Sequence, residues 1–295
     1  MSMSAICCVV VAFNPDNAEL QRVIEGILCW AQKVILVDNT PRKNIDIEIL
    51  KNYPLDIIQI GENIGIGAAQ NIGILQAINL GFDWIVLSDQ DTFYPQNYGA
   101  QMRKGLEIHK NACAIFPTFI DSHRLNKESI KATVPTWYGW KKVHPPAGIF
   151  DLYEGAASGM MLKSSCIKNI GLMNENLFMD WVDFEWCWRA RAAGFRVLGT
   201  SEVKVIHSLG VGIISLGKKI INIRPPSRHY YIVRNCIYLA INSNSLTPLV
   251  RCRLFYKSFT LFFGYSLLLS PRLENLGAVF KGLRDGLSGS LGRRF

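Results

Sequence analysis

Four short apolar runs, Ile6–Ala12, Lys33–Val37, Ile57–Ile60 and Trp84–Leu87, alternate with stretches of helical periodicity. In the stretch Pro15–Trp30, Leu20, Val23, Ile24, Ile27 and Leu28 recur on one face, and Ala68–Leu80 reads as a second helix. This order predicts an α/β chain with a largely parallel sheet, helices on its faces and ligands at the carboxyl ends of its strands. At 295 residues the chain is long enough for one large α/β domain with an appendage, or for two domains.

The predicted strand ends carry polar groups: Phe13-Asn14, Asp38-Asn39, Gly61-Glu62-Asn63, and Asp89 with Asp91. Two carboxylates one residue apart repel unless a proton, a basic group or a metal neutralises them, and hard divalent ions take oxygen ligands and bridge to phosphates. Ser88-Asp89-Gln90-Asp91-Thr92 is equally the composition of a capped turn. The loop Asn63–Asn71 places glycines before a helix N-terminus, whose N–H groups suit an anion. It fits neither GxGxxG nor GxxxxGK[ST], so no nicotinamide or ATP-type reading follows.

A second constellation lies in Leu177–Arg189. If helical, it gathers Asp180, Asp183 and Glu185 near the helix start and sets Trp181, Phe184 and Trp188 on an apolar face; a well-capped amphipathic helix would look the same. Glu154–Met161 is rich in small residues, which suits close approach of backbone to a ligand, or a bulge. His207 stands at another strand end. In Ser227–Asn235, Arg228 and Arg234 either clamp phosphate oxygens or are solvated charges on a helix packed through Tyr231 and Ile232.

The formal charge of +9 is unevenly distributed: residues 1–216 hold 19 Lys and Arg against 21 Asp and Glu, residues 217–295 hold 13 against 2. Within the basic part, Phe255–Leu269 is apolar and aromatic but shorter than the ~20 residues a membrane-spanning helix needs. With Arg251, Arg253, Arg272, Lys281, Arg284, Arg293 and Arg294 around it, it reads as an interfacial anchor on an anionic leaflet, or as a buried helix of a subdomain or homodimer interface. No nucleic-acid-binding module accompanies the charge, so no nucleic-acid partner is expected. Eight cysteines without a CxxC pair predict buried thiols in a reducing, cytosolic compartment. Ile6–Val11 is too short and lacks the basic leader of a secretory signal.

The set Val9–Pro15, Val37-Asp38-Asn39, Asn63-Ile64-Gly65 and Ser88–Asp91 resembles, in order and spacing, the nucleotide-binding half of family 2 glycosyltransferases with the GT-A fold. The resemblance implies a Rossmann-like mixed sheet flanked by helices: a catalytic domain over 1–216, with its nucleotide-binding half at about 1–115 and acceptor half at about 116–216, then a basic, mainly helical segment over 217–295. It implies that Phe13, Asn14, Asp38, Asn63, Gly65, Asp89 and Gln90 bind the nucleotide. Asp89 and Asp91, a DxD pair, and His207 would hold Mg²⁺ or Mn²⁺. Asp183 matches the family's general base with Asp180 beside it, although Val182 stands where many relatives carry Glu; Ser158 and Gly159 border the acceptor.

Asp180-Trp181-Val182-Asp183 and the RxYYxxRN stretch from Arg228 to Asn235 resemble the subgroup that transfers L-rhamnose from dTDP-L-rhamnose. That implies an inverting, metal-dependent enzyme acting on a polyprenyl-diphosphate-linked glycan in O-antigen-like polysaccharide assembly, peripheral on the inner face of the bacterial plasma membrane. Another sugar nucleotide in the same fold is the nearest alternative. An aspartyl phosphotransferase of DxDxT type needs its motif after the first strand, whereas Asp89 follows the fourth. A catalytically silent membrane-binding scaffold is the remaining reading.

Overall fold

The computed structural model describes residues 5–41, 45, 47–121, 129–207, 212–216 and 219–294. Strand β1 (Ile6–Ala12) is buried along its whole length, which its unbroken apolar run requires of an interior strand. Helix α1 (Asn17–Leu28) follows, started by Asp16, whose carboxylate accepts the Glu19 N–H at 2.8 Å. Then come β2 (Lys33–Asp38), a single helical turn α2 (Ile47–Leu50), β3 (Leu55–Gln59), α3 (Ile66–Asn79) and β4 (Trp84–Asp89). The register pairs β1 in parallel with β2 and β4, and β2 with β3.

The second half is less regular. It runs α4 (Tyr98–Ile108), β5 (Ala112–Asp121), the hairpin β6 (Ala132–Thr136) and β7 (Gly139–Val143), β8 (Ile149–Asp151), β9 (Met160–Lys163) and α5 (Ser164–Ile170). A 3-10 turn (Glu175–Leu177) leads to α6 (Val182–Ala192) and β10 (Arg196–His207). The eight-stranded sheet has the order β3-β2-β1-β4-β9-β5-β10-β8. The expected parallel sheet is therefore mixed: β9 enters antiparallel between β4 and β5, and β8 closes the edge antiparallel to β10.

Alternation along β1 feeds two cores: Cys7, Val9 and Val11 face one layer, Ile6, Cys8, Val10 and Ala12 the other. Close packing of α3 on this sheet depends on Gly73, where an added Cβ would stand 2.1 Å from Val9 Cγ1. The cysteines are free thiols, with Cys29 and Cys252 exposed and the other six buried.

The paired strands β11 (Gly212–Leu216) and β12 (Lys219–Ile223) straddle the expected boundary at 216/217. Beyond them α7 (Pro226–Asn242), α8 (Pro248–Leu268) and α9 (Arg272–Ser288) pack on one another. The apolar segment expected over Phe255–Leu269 lies in the longer α8 up to Leu268, with Leu269 as its extended C-cap; the helix begins where Thr247 caps Val250. Among the described residues no helix is long and apolar enough to cross a membrane.

Candidate active site

The carboxyl ends of β1, β2 and β4 meet as expected for ligand binding in a sheet of this kind. Phe13 is 44% exposed at the end of β1, and its N–H donates to Gln90 Oε1 at 2.7 Å, tying that strand end to the acidic turn. Asn14 adopts φ +46° and donates its N–H to Thr40 Oγ1 at 2.9 Å. Asp38 is buried, with Oδ1 accepting the Thr40 N–H at 3.1 Å.

Asn63 shapes its own loop. Its Oδ1 accepts from Asn39 Nδ2 at 3.1 Å and from the Gly65 N–H at 3.0 Å, while Asn39 Oδ1 accepts the Ile64 N–H at 2.9 Å. Gly65 has φ +90°, and a Cβ there would lie 2.5 Å from Phe178 O. No other residue type allows this approach, and through it the loop meets the segment that carries the second constellation. The Ile66 N–H completes the junction by donating to Phe178 O at 2.8 Å.

The acidic turn is anchored by Ser158 and Gly159, which were expected to border an acceptor. Ser158 Oγ accepts the Asp89 N–H at 3.0 Å and lies 2.6 Å from Thr92 Oγ1; the Gly159 N–H donates to Leu87 O at 2.6 Å. Ser158 is buried, so its hydroxyl fixes the turn from behind. A bridge between Phe93 and Ile206 brings the end of β10 alongside this turn, with His207 next in the chain; the His207 side chain lies outside the described residues.

Asp183 sits in the first turn of α6, with Oδ2 accepting the Ala157 N–H at 3.1 Å and Oδ1 the Phe184 N–H at 2.9 Å. Burial lifts its carboxyl to about 7, against those two hydrogen bonds and with a further push from the charge of Asp180. A carboxylate so raised is a stronger base near neutral pH. Asp180, expected beside it in proton transfer, is committed to two guanidiniums, Arg228 Nε at 3.1 Å and Arg224 Nη1 at 3.1 Å. Glu185 leaves the constellation and pairs with Arg189 at 2.7 Å.

The Arg228 side chain remains 43% exposed while it holds Asp180. Burial opposes its charge, but Asp180 first, then Asp89 and Asp183, hold it more firmly protonated than usual. Asp180 is the carboxylate that Arg228 contacts, at 3.1 Å, while the charges of Asp89 and Asp183 act on it at longer range; a guanidinium there is also suited to a diphosphate. Arg234, expected as the second phosphate clamp, is fully buried elsewhere, donating to Leu177 O at 2.8 Å and Gly292 O at 2.6 Å.

Phe178, Asp180 and Trp181 have φ of +64°, +58° and +68°. Each such residue costs about 1–3 kcal/mol, so the surroundings must hold it. Helix α7 does so: Asn235 Nδ2 is shared among Leu177 O, Met179 O and Asp180 O at 2.8–3.0 Å, Trp181 Nε1 donates to Ile232 O at 3.0 Å, and Phe178 stacks on Tyr231. Thr40 and Arg224 thus join this cluster although neither was expected from the sequence, while Asn39 and Asn235, quoted within their motifs without a role, shape the loops; a polar residue beside a marked motif was the available signal. Glu154 is buried with Oε2 accepting from Trp188 Nε1 at 3.0 Å, and burial raises its carboxyl.

Among the described residues no group of three His, Cys, Asp or Glu could hold a metal ion. Asp89 and Asp91 still offer hard oxygen donors at one turn, which fits an ion bound by one or two carboxylates and otherwise by substrate phosphates and water.

Comparison with known proteins gives this geometry a family. The model of "Glycosyl transferase family 2" matches residues 7–159. The dTDP-rhamnosyl transferase RfbF of Shigella flexneri is 29% identical over 255 residues, covering 85% of this chain and 84% of that protein. GalNAc-T7, solved with UDP, GalNAc and Mn²⁺, superposes with a TM-score of 0.62 at 13% identity over 97% of this chain, which spans 56% of that structure. S. aureus TarS residues 1–349 give a TM-score of 0.60 at 13% identity, covering 97% of this chain and 83% of theirs. The fold is GT-A, and the chain belongs to glycosyltransferase family 2.

Proposed function

We propose that the chain is an inverting, metal-dependent rhamnosyltransferase that moves L-rhamnose from dTDP-L-rhamnose to a hydroxyl of a lipid-linked glycan. The observation that carries the reaction is Asp183, a desolvated carboxyl raised to about 7, two main-chain hydrogen bonds fixing its direction. The relative named as a dTDP-rhamnosyl transferase supports the choice of sugar. Phe13 offers an exposed face to the base, while Arg228 meets the diphosphate.

Asp183 takes the proton from the acceptor hydroxyl as the hydroxyl oxygen forms a bond to the anomeric carbon. On the opposite face the bond from that carbon to the diphosphate oxygen breaks, and dTDP leaves with the electron pair. One displacement inverts the centre without a covalent intermediate. A divalent ion held by Asp89 and Asp91, with His207 as a third ligand, would stabilise charge on the leaving diphosphate. The acceptor is a polyprenyl-diphosphate-linked glycan of surface-polysaccharide assembly, met at the cytoplasmic face of the plasma membrane.

A panel of dTDP-, UDP- and GDP-sugars tests the reading. Turnover or hydrolysis is expected with dTDP-L-rhamnose above the others, lost with EDTA, restored by Mg²⁺ or Mn²⁺, and lost in Asp183→Asn. Preference for another sugar nucleotide would overturn the donor, and activity that survives EDTA would overturn the metal.

A further inference from the structure

The turn that carries Asp89 and Asp91 rests on side-chain hydroxyls from two parts of the chain. Strand β9 pairs antiparallel with β4, Leu87 opposite Met160, and this sets Ser158 and Gly159 against the end of β4. Asp89 is then gripped at both of its main-chain polar groups. Its N–H donates to Ser158 Oγ at 3.0 Å, and its carbonyl oxygen accepts from Ser88 Oγ at 2.9 Å.

Each serine is backed by a hydroxyl from beyond the acidic pair. Ser158 Oγ lies 2.6 Å from Thr92 Oγ1, and Ser88 Oγ accepts from Tyr94 Oη at 2.7 Å. Ser88, Thr92 and Ser158 are buried, which strengthens these bonds and makes the loss of a partner expensive. The Tyr94 ring is fixed in turn, edge-on to Trp30 and Tyr98 with centroids at 5.3 and 4.7 Å, while Tyr98 Oη donates to Gly159 O. Main-chain bonds of 3.0 and 3.1 Å between Phe93 and Ile206 tie the preceding residue to β10. Burial pushes the Tyr94 hydroxyl well above its ordinary range, so it keeps the proton that it donates.

Two carboxylates one residue apart repel, and a loose turn would relieve the repulsion by splaying them. A turn gripped on both sides of Asp89 cannot. We infer that Tyr94 and Thr92 are positioning residues for the sugar nucleotide, holding the Asp89–Asp91 turn through Ser88 and Ser158 in its cation-binding form before any ligand arrives. This rests on the acidic pair being the metal and diphosphate site proposed above. A site held ready loses less free energy to ordering when it binds.

Calorimetric titration of the full chain with dTDP and with UDP, each in Mn²⁺ and in EDTA, tests this without recourse to turnover. Tyr94→Phe and Thr92→Val keep the shape of the side chain and remove one hydroxyl apiece. Each is expected to weaken Mn²⁺-nucleotide binding about five- to tenfold and to leave the weaker binding in EDTA at its wild-type level. Thr92→Ser, which keeps the hydroxyl, should bind as wild type does. A wild-type chain that takes up neither nucleotide overturns the reading of the acidic pair and the clamp with it. Wild-type affinity in both variants, or an equal loss with and without metal, overturns the clamp alone.

Discussion

The Asp183 carboxyl stands between its two forms at neutral pH because burial raises it from 3.8 to about 7. Only the ionised form accepts a proton, so kcat/KM should rise with pH and level off above about 7. Stability has the opposite sign. A carboxyl raised in the native state favours folding when protonated, and that contribution is lost as pH climbs from about 3.8 to about 7. Asp183→Asn removes the buried charge. It should therefore melt higher than wild type at pH 8, by more than at pH 5, while activity falls about 10²- to 10⁴-fold. Thermal scans and initial rates at the two pH values check both; a rate plateau reaching below pH 5, or a variant less stable at pH 8 than at pH 5 relative to wild type, denies the assignment.

At the scale of elements, α7 holds the strained turn from Phe178 to Trp181 in place. Asn235→Ala leaves the carbonyls of Leu177, Met179 and Asp180 without its amide, a cost of about 1–3 kcal/mol in buried surroundings. The turn should then relax and move Asp183, lowering kcat more than it raises the donor KM; steady-state kinetics at saturating donor separate the two. An unchanged kcat with lower stability would show that Asn235 only supports the fold.

Which parts of this were legible follows from what each element depends on. The strand β1 was readable to the residue, because burial on both faces writes a continuous apolar run. The strand before the acidic pair was readable to within two residues: its apolar run ends at Leu87, whereas β4 continues through Ser88 to Asp89, paired with Val11. The short inserted strand β9 was not: four residues, Met160–Lys163, carry no periodicity, and its pairing with β4 and β5 is a tertiary fact. The same limit governs side chains. Residues 228–235 showed that donors were present, but whether a donor meets phosphate or a main-chain carbonyl depends on which face of α7 packs. Arg228 turns toward Asp180 and Arg234 toward Leu177 and Gly292, and nothing local distinguishes them.

Across the whole molecule, residues 290–294 return from α9 to the side of the Asn63–Gly65 loop. The Gly292 N–H donates to Asn176 O at 2.8 Å, Gly292 O accepts from buried Arg234 at 2.6 Å, the Arg294 N–H donates to Tyr231 Oη at 2.9 Å, and Arg293 lies 4.0 Å from Glu62. Glu62, Asn63, Asn176 and Gly292 share the lining of a cavity of about 430 Å³ beside the Gly65 loop. Removing the residues after Gly289 would take an acceptor from the Arg234 guanidinium and open that cavity, at a cost of about 1–3 kcal/mol. In a chain of this size that is a fall of about 2–6 °C in melting temperature. Donor KM should rise more than kcat falls, because the loss touches the Asn63 loop while the contacts of Asp183 with Ala157 and Phe184 persist. If the truncated chain melts lower and keeps its donor KM, these residues serve the fold and not donor binding.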